Sequence, residues 1–508
     1  MMLSNKGDPT ELIPKIKMLL GSLGKDRSTA QSVAYDTAWM ARLSEKYASR
    51  SQFYSALNWL RKNQHLDGSW GGEIFHYHDR TVSTLAVLIA LKQCGELHRD
   101  RKLIEKGEAF LWNQVGRLPA PTIETSEFPF LLFSLTAEAY EQDLDIPQAL
   151  NFLEAMQIEQ RLESIGLDPQ SWLKSKLGFA YESFYGYVHP NTRFLASNGS
   201  INSSPSSTVA FVLKSANEHP QVLDYLVKTM SQNEDGGVPF ANPADIFEAT
   251  QTLNILRMAN VITPNNLLVK KVLEFLWSVW NPEIGVGFSS QFLVPDLAST
   301  ALTYTLLKWA GYHVSADVFT LFEEETYFRS SSESYELSLS ANLYTLIALG
   351  MDLTSTRFED WKDKIVNLFI DHDSSGYCWV DNQHISPFYL TYLAIIFLMD
   401  IDNNRLHLQT KIRWMLKSQQ KNGGWGFYDI ATAEETSYCL LALLFWDEYA
   451  RKIDPEVIHS AGRFLKIHSH NSTQPALWVS KSLFTPTHVV NVAIIAALTR
   501  YQRYCISN

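Results

Sequence analysis

Apolar residues recur at helical spacing almost from one end of this chain to the other. In Thr81–Lys92 (TVSTLAVLIALK) they cover most of the cylinder, the pattern of a helix packed on two sides rather than one. Segments 131–142, 208–216, 300–310, 338–349, 388–399, 435–446 and 488–499 read the same way. No stretch sustains period-2 alternation, so no substantial sheet is predicted. The loops repeat a theme. Leu60-x-x-x-Gln64 followed by Asp67-Gly68-Ser69-Trp70 recurs as Leu416-x-x-x-Gln420 followed by Gly423-Gly424-Trp425-Gly426, with weaker echoes at 232–237 and 284–288. A Gln that bonds exposed amides at the next helix start, a Gly that permits a tight turn and a Trp that covers the joint make a brace between outer and inner helices. Helix–turn–helix units repeated around a ring predict an α/α barrel, and two strong braces far apart predict two of them. The spacing is too irregular for a strict solenoid.

Composition sharpens this picture. Across 508 residues, 46% are hydrophobic and 19% charged, which calls for a large packed core rather than disorder. Aromatics reach 12%, with 14 Trp; they serve either ordinary helix packing or a pocket whose π faces stabilise cations. The net charge is −11 and no Lys/Arg block occurs, which argues against nucleic-acid binding. Cys94, Cys378, Cys439 and Cys505 lie far apart without metal spacing, as for free thiols in a reducing compartment. The N-terminus has no signal-peptide core, and the longest apolar runs, such as 489–498, are too short to span a bilayer. A soluble, cytoplasmic chain without stable membrane insertion is expected.

The stretch with the most chemical content is Val294-Pro295-Asp296-Leu297-Ala298-Ser299-Thr300-Ala301. It resembles the Val-Pro-Asp-x-Asp-Asp-Thr-Ala general-acid motif of class II terpene cyclases, with the central Asp replaced by Ala298 and the Asp after it by Ser299. Other stretches resemble the bacterial diterpene cyclases of that class, such as the copalyl diphosphate synthases. They include Val33-Ala34-Tyr35-Asp36-Thr37-Ala38-Trp39, Asp67-Gly68-Ser69-Trp70-Gly71, His78-Asp79-Arg80, Ser204–Thr208 and Gly236–Phe240. Trp379-Val380-Asp381, Ser386–Tyr389, Ala431–Thr436 and Lys481–Pro486 follow in the family's order. The resemblance covers about residues 30 to 490. It implies an all-α fold of two α/α barrels: a β domain formed by 1–50 and 255–508, and an inserted γ domain at 51–254. No Asp-Asp-x-x-Asp run for ionising a diphosphate is present, so the implied reaction is protonation-initiated cyclisation with the diphosphate retained.

Protonating an isolated alkene needs a strong acid facing a dry pocket, its conjugate base stabilised by hydrogen bonds. The resemblance places that donor at Ala298, with Asp296 and Ser299 as its supports. A methyl group donates no proton, so the chain is expected to bind substrate and turn over poorly. A single Asp-to-Ala change at 298 is the most economical history. For the diphosphate, Lys481 and Arg80 are the cationic candidates; a surface lysine and an arginine tied to a neighbouring Asp are the bland alternatives. The implied Mg²⁺ falls to Glu124 and Glu127 in Ile123-Glu124-Thr125-Ser126-Glu127-Phe128. Tyr304 and Trp379 are candidates for the carbocation wall, or else core residues. Asp36, Trp39 and the Thr432–Glu435 capping pattern read as structural; Glu323–Glu325 and the Asp371/Asp373 loop read as solvated. The implied substrate is geranylgeranyl diphosphate, giving a bicyclic labdane- or clerodane-type diphosphate. The alternatives are farnesyl diphosphate cyclisation of the drimenyl type, or a non-catalytic isoprenoid diphosphate-binding protein on the same fold.

Overall fold

The computed structural model describes residues 12–114, 123–150, 175–184, 186–331, 334–351, 357–402, 406–450, 453–469 and 473–507, with the single positions Gln160 and Glu163. The reading of the extreme N-terminus concerns residues 1–11, outside this set. From its first described residues the chain runs through α1 (Leu12–Ser22), α2 (Ala34–Ala41), α3 (Leu43–Lys46), α4 (Ser51–Lys62), α5 (Tyr77–Cys94), α6 (Leu97–Gln114) and α7 (Phe128–Glu141). The 3-10 segment Lys176–Phe184, α8 (Pro205–Lys214) and α9 (Pro220–Met230) follow. Among these, α2, α5, α7, Lys176–Phe184 and α8 touch in a closed ring, with α4, α6 and α9 outside it.

The second half contains α10 (Asp245–Met258), α11 (Leu267–Val279), α12 (Leu297–Trp309), α13 (Leu339–Gly350), α14 (Phe358–Asp371), α15 (Pro387–Asp402), α16 (Leu408–Ser418), α17 (Ala433–Ala450), α18 (Pro455–His468) and α19 (Thr487–Ser507). Here α10, α12, α13, α15, α17 and α19 close a second ring, backed by α1, α11, α14, α16 and α18. The fold is all-α, two α/α barrels. Two short ribbons pair β1 (Arg329–Ser331) with β2 (Ser334–Leu337) and β3 (Trp478–Val479) with β4 (Leu483–Phe484).

Sequence decides which helices are inner. In α11 the buried positions Val269, Val272, Leu273 and Leu276 form one stripe, with Lys270, Lys271 and Glu274 outside it. In α17 every residue from Ala433 to Leu444 is buried, so that stretch has no solvent face. The two cores are separate: one takes Leu19–Val33 and Phe240–Tyr501, the other Ala34–Val238. Contacts therefore divide near 33 and 239, and α2 packs with the smaller barrel.

The braces are real, and one is shifted in register. Trp70 Nε1 donates to Leu60 O at 2.7 Å, Trp425 Nε1 to Met415 O at 2.7 Å and Trp379 Nε1 to Phe369 O at 2.9 Å. The backbone N–H of each Trp donates to a threonine hydroxyl in the next inner helix: Thr84 at 3.0 Å, Thr436 at 2.9 Å and Thr391 at 3.0 Å. Gln64 Nε2 reaches Gly68 O at 2.8 Å and Leu103 O at 2.9 Å. Its counterpart is Gln419, which reaches Gly423 O at 2.9 Å and Val457 O at 3.0 Å, not the predicted Gln420. The repeat is thus Met415-x-x-x-Gln419, and both glutamines donate to carbonyls rather than bonding helix-start amides. Gly68 and Gly423 are needed for φ of +91° and +88°; an added Cβ would lie 2.3 Å from Lys106 O or 2.5 Å from Ser460 O.

Candidate active site

A cavity of about 460 Å³ opens between the barrels. The N-cap and first two turns of α12 contribute Asp296, Ala298, Ser299 and Leu302; α10 contributes Phe247, Thr250 and Gln251; the β3–β4 ribbon contributes Trp478, Ser480 and Phe484. The smaller barrel supplies Glu124, Thr125, Ser126, Glu127, Phe130, Lys176 and Phe179. Five predicted positions, the 296–298–299 set and both acidic candidates, therefore border one space.

Local hydrogen bonding fixes the α12 end. Asp296 is the N-cap, with extended φ/ψ of −119°/150°, and its carboxylate accepts the Ser299 N–H at 2.7 Å. Thr300 Oγ1 accepts Val286 N–H at 3.0 Å, and Asp296 N–H donates to Val286 O at 3.0 Å, tying the turn to the preceding loop. Gly285, at φ +81°, makes this possible, since a Cβ there would meet Thr300 Oγ1 at 2.4 Å. Ala298 is the second helical residue, where the positive end of the helix dipole favours a negative side chain. A carboxylic acid at 298 would gain acidity from that dipole. Burial pushes Asp296 up to about 6, countered by the Ser299 N–H and by the Lys176 charge.

The wall is aromatic. Phe240 stacks on Phe484 with centroids 3.8 Å apart, Phe288 lies 4.6 Å from Phe292, Phe179 meets Phe288 edge-on at 5.6 Å, and Phe247 meets Trp478 edge-on at 5.4 Å. These are the ring faces that a pocket for cations requires. Behind Trp478, buried Glu434 accepts from Trp478 Nε1 at 2.7 Å and Tyr438 OH at 2.9 Å, and lies 3.3 Å from His384 Nε2. Glu435, not Glu434, completes the capping box with Thr432, at 2.8 and 3.0 Å.

The mouth is polar. Lys176 Nζ sits 3.0 Å from Glu336 Oε2, and Asn382 donates to the other Glu336 oxygen at 2.9 Å. Glu124 is exposed, and its pKa is raised by partial burial and by the nearby Glu336 carboxylate. Glu127 stands at the N-cap position of α7 in the left-handed region, at φ 55°, without a side-chain capping bond. Lys176 is the one lysine or arginine among the described residues that border the cavity.

Four candidates lie elsewhere. Lys481 is 1% exposed and does not border the cavity. Its ammonium donates to Glu182 at 2.8 Å, Ser204 at 2.7 Å, Ser206 at 2.5 Å and Phe179 O at 3.0 Å, so it bolts the barrels together. Arg80 is committed to Ser69, Gly72 O, Glu73 O and Asp67, holding its own loop. Tyr304 is fully buried against Phe319 and Trp280. Trp379 is the brace described above, with Lys411 4.5 Å over its ring. Lys411 also pairs with Asp373, and Glu323 holds Lys364 at 2.6 Å, so neither acid is simply solvated. The cavity aromatics Phe240, Phe288 and Phe484 close the very loops that the sequence marked as repeated or family-like; Lys176 and Glu336 carry no such signal.

An acid-motif helix opening into an aromatic cavity between two α/α barrels defines the class II terpene cyclase architecture. No family model matches the chain. It is 31% identical over 486 residues to the type B diterpene cyclase of Mycobacterium tuberculosis, covering 92% of this chain and 95% of that protein. It is 32% identical over 326 residues to the ent-copalyl diphosphate synthase of Salvia miltiorrhiza, covering 63% of this chain but only 40% of that plant protein. Among solved structures, ent-copalyl diphosphate synthase from Streptomyces platensis superposes with a TM-score of 0.80 at 23% identity, covering 97% of this chain and 99% of that one, and shares the fold. The chain belongs to the class II terpene cyclase family.

Proposed function

We propose that this chain is a class II diterpene cyclase lacking its general acid, and that the intact enzyme carries an aspartic acid at position 298. The substrate is geranylgeranyl diphosphate and the product a bicyclic labdane- or clerodane-type diphosphate. What supports this is that the 296–298–299 turn, an aromatic wall and a polar mouth all border one cavity. The name of the mycobacterial relative, a diterpene cyclase, supports the twenty-carbon chain length.

In this reading Lys176 takes the diphosphate, because its pairing with exposed Glu336 is a surface ion pair of little strength, about 0–1 kcal/mol, and yields to a better anion. Mg²⁺ would be held by Glu124 and Glu127, hard oxygen donors at the mouth, and would neutralise diphosphate charge. Among the described residues no three His, Cys, Asp or Glu cluster as a ready metal site. In the Ala298→Asp enzyme, catalysis begins when the O–H proton of the introduced carboxylic acid adds to the terminal alkene. Neighbouring π electrons then close two C–C bonds, a C–H proton is lost, and the C–O bond to diphosphate stays intact. With Ala298 the first step has no donor, a loss of about 10²–10⁴-fold or more in rate.

The test incubates this chain and Ala298→Asp with geranylgeranyl and farnesyl diphosphates plus Mg²⁺. Cyclic alcohols after dephosphorylation, from the Asp variant alone, are the expected result, and the better substrate sets chain length. Cyclic product from the unaltered chain would mean another group protonates the alkene. None from either folded protein, despite diphosphate binding, would leave a binding protein.

A further inference from the structure

A second chamber of about 810 Å³ lies between the barrels, on the other side of the β3–β4 ribbon. Polar groups of Thr29, Gln31, Gln232, Asn233 and Gln474 border it beside the apolar Trp59, Ala476 and Leu483, and it reaches solvent beside the exposed Lys62 and Glu73. Among the described residues, Phe484 alone borders both spaces. Its ring is 4% exposed, clamped on Phe240 at 3.8 Å, with Phe247 edge-on at 6.3 Å. The backbone is held from the polar side: Leu483 N–H donates to Asp79 at 3.1 Å, and Gln31 N–H donates to Thr485 O at 3.0 Å.

We infer that Phe484 is the partition that keeps this polar chamber's water out of the polyene cavity, and thereby sets the fate of the final cation. The inference rests on the cyclase reading above. A tertiary cation has two exits. A neighbouring carbon gives its proton to an oxygen lone pair in the cavity wall, and the C–H electron pair becomes the alkene bond. Alternatively a water lone pair forms a C–O bond, and the resulting oxonium passes a proton to a second water. The second path needs water at the cation, and Phe484 is the described residue that the two spaces share. Removing the ring joins them; a ring lost elsewhere in the wall does not.

The experiment places Phe484→Ala and Phe484→Leu in the Ala298→Asp enzyme and runs turnover in H₂¹⁸O, alongside crystal structures of both variants. The partition predicts ordered water running between the two spaces in Phe484→Ala. It also predicts a rise of about tenfold in the ratio of ¹⁸O-hydroxylated to olefinic product, the effect of a modest change in competing barriers. Phe484→Leu falls between Ala and Phe. A folded Phe484→Ala whose cavities stay separate in the crystal overturns the inference, as do joined cavities with an unchanged product ratio. If Ala298→Asp with Phe484 intact makes no cyclic product, the cyclase reading fails instead, and the crystal structures alone decide whether the partition exists. Should the Ala variant not fold, the Leu variant carries both readouts.

Discussion

Asp296 shows how one residue answers to structure and chemistry together. It caps α12 through the Ser299 N–H, yet burial lifts its pKa from 3.8 to about 6. Between about pH 4 and 6 the folded chain therefore holds a proton that the unfolded chain has released. Stability falls as pH rises through that window and is flat above it. Asp296→Asn keeps the capping oxygen and removes the buried charge, so we predict a gain of about 1–2 kcal/mol at pH 7.5 and none at pH 4. Urea midpoints at the two pH values check this; a loss at pH 7.5 would mean that the carboxylate is net favourable where it sits. The 294–301 stretch was legible as resembling a known motif, and it folds as a capped helix start that borders the cavity. Nothing in the sequence sets Lys176 apart, since a lysine at a cavity mouth looks like any other until the 330s ribbon arrives beside it. Lys481 misled for the converse reason: a cation in a family-like loop can serve the joint rather than the ligand.

At the scale of the element, inner and outer helices were separable by how much of each cylinder is apolar, and all the inner segments named from sequence are helices. The brace register was not, because Gln419 and Gln420 are adjacent and only the carbonyls they reach tell them apart. Gln419 makes contacts with Gly423 O, Val457 O and Ser460 Oγ, whereas Gln420 makes one longer bond of 3.3 Å to Gly426 O. Gln419→Ala is predicted to cost about 1–3 kcal/mol by leaving carbonyls unpaired, and Gln420→Ala under about 1. Thermal unfolding of the pair decides it, and equal losses would return the repeat to the Gln420 register.

For the whole molecule, the question is what joins two barrels while leaving a cavity between them. Lys481, reaching from beside the β3–β4 ribbon into a nest of Glu182, Ser204 and Ser206, is the main bolt, with Asp36 3.9 Å away. Lys481→Ala strands Glu182 in a buried site and is predicted to cost about 3–5 kcal/mol. Lys176→Ala, at the mouth, should leave stability within about 0.5 kcal/mol and weaken diphosphate binding about tenfold. Calorimetry of folding and of geranylgeranyl diphosphate binding separates the two lysines; the reverse pattern would restore Lys481 as the ligand contact. No described helix is long and apolar enough to cross a membrane.

The central claim is that position 298 is where the reaction's proton enters. Running Ala298→Asp on geranylgeranyl diphosphate in D₂O tests it most directly. The account predicts a bicyclic product carrying one deuterium from solvent with its diphosphate still attached, and no such product from the Ala298 chain. Deuterated cyclic product from the Ala298 chain at a comparable rate, or release of diphosphate by the Asp variant, would contradict it.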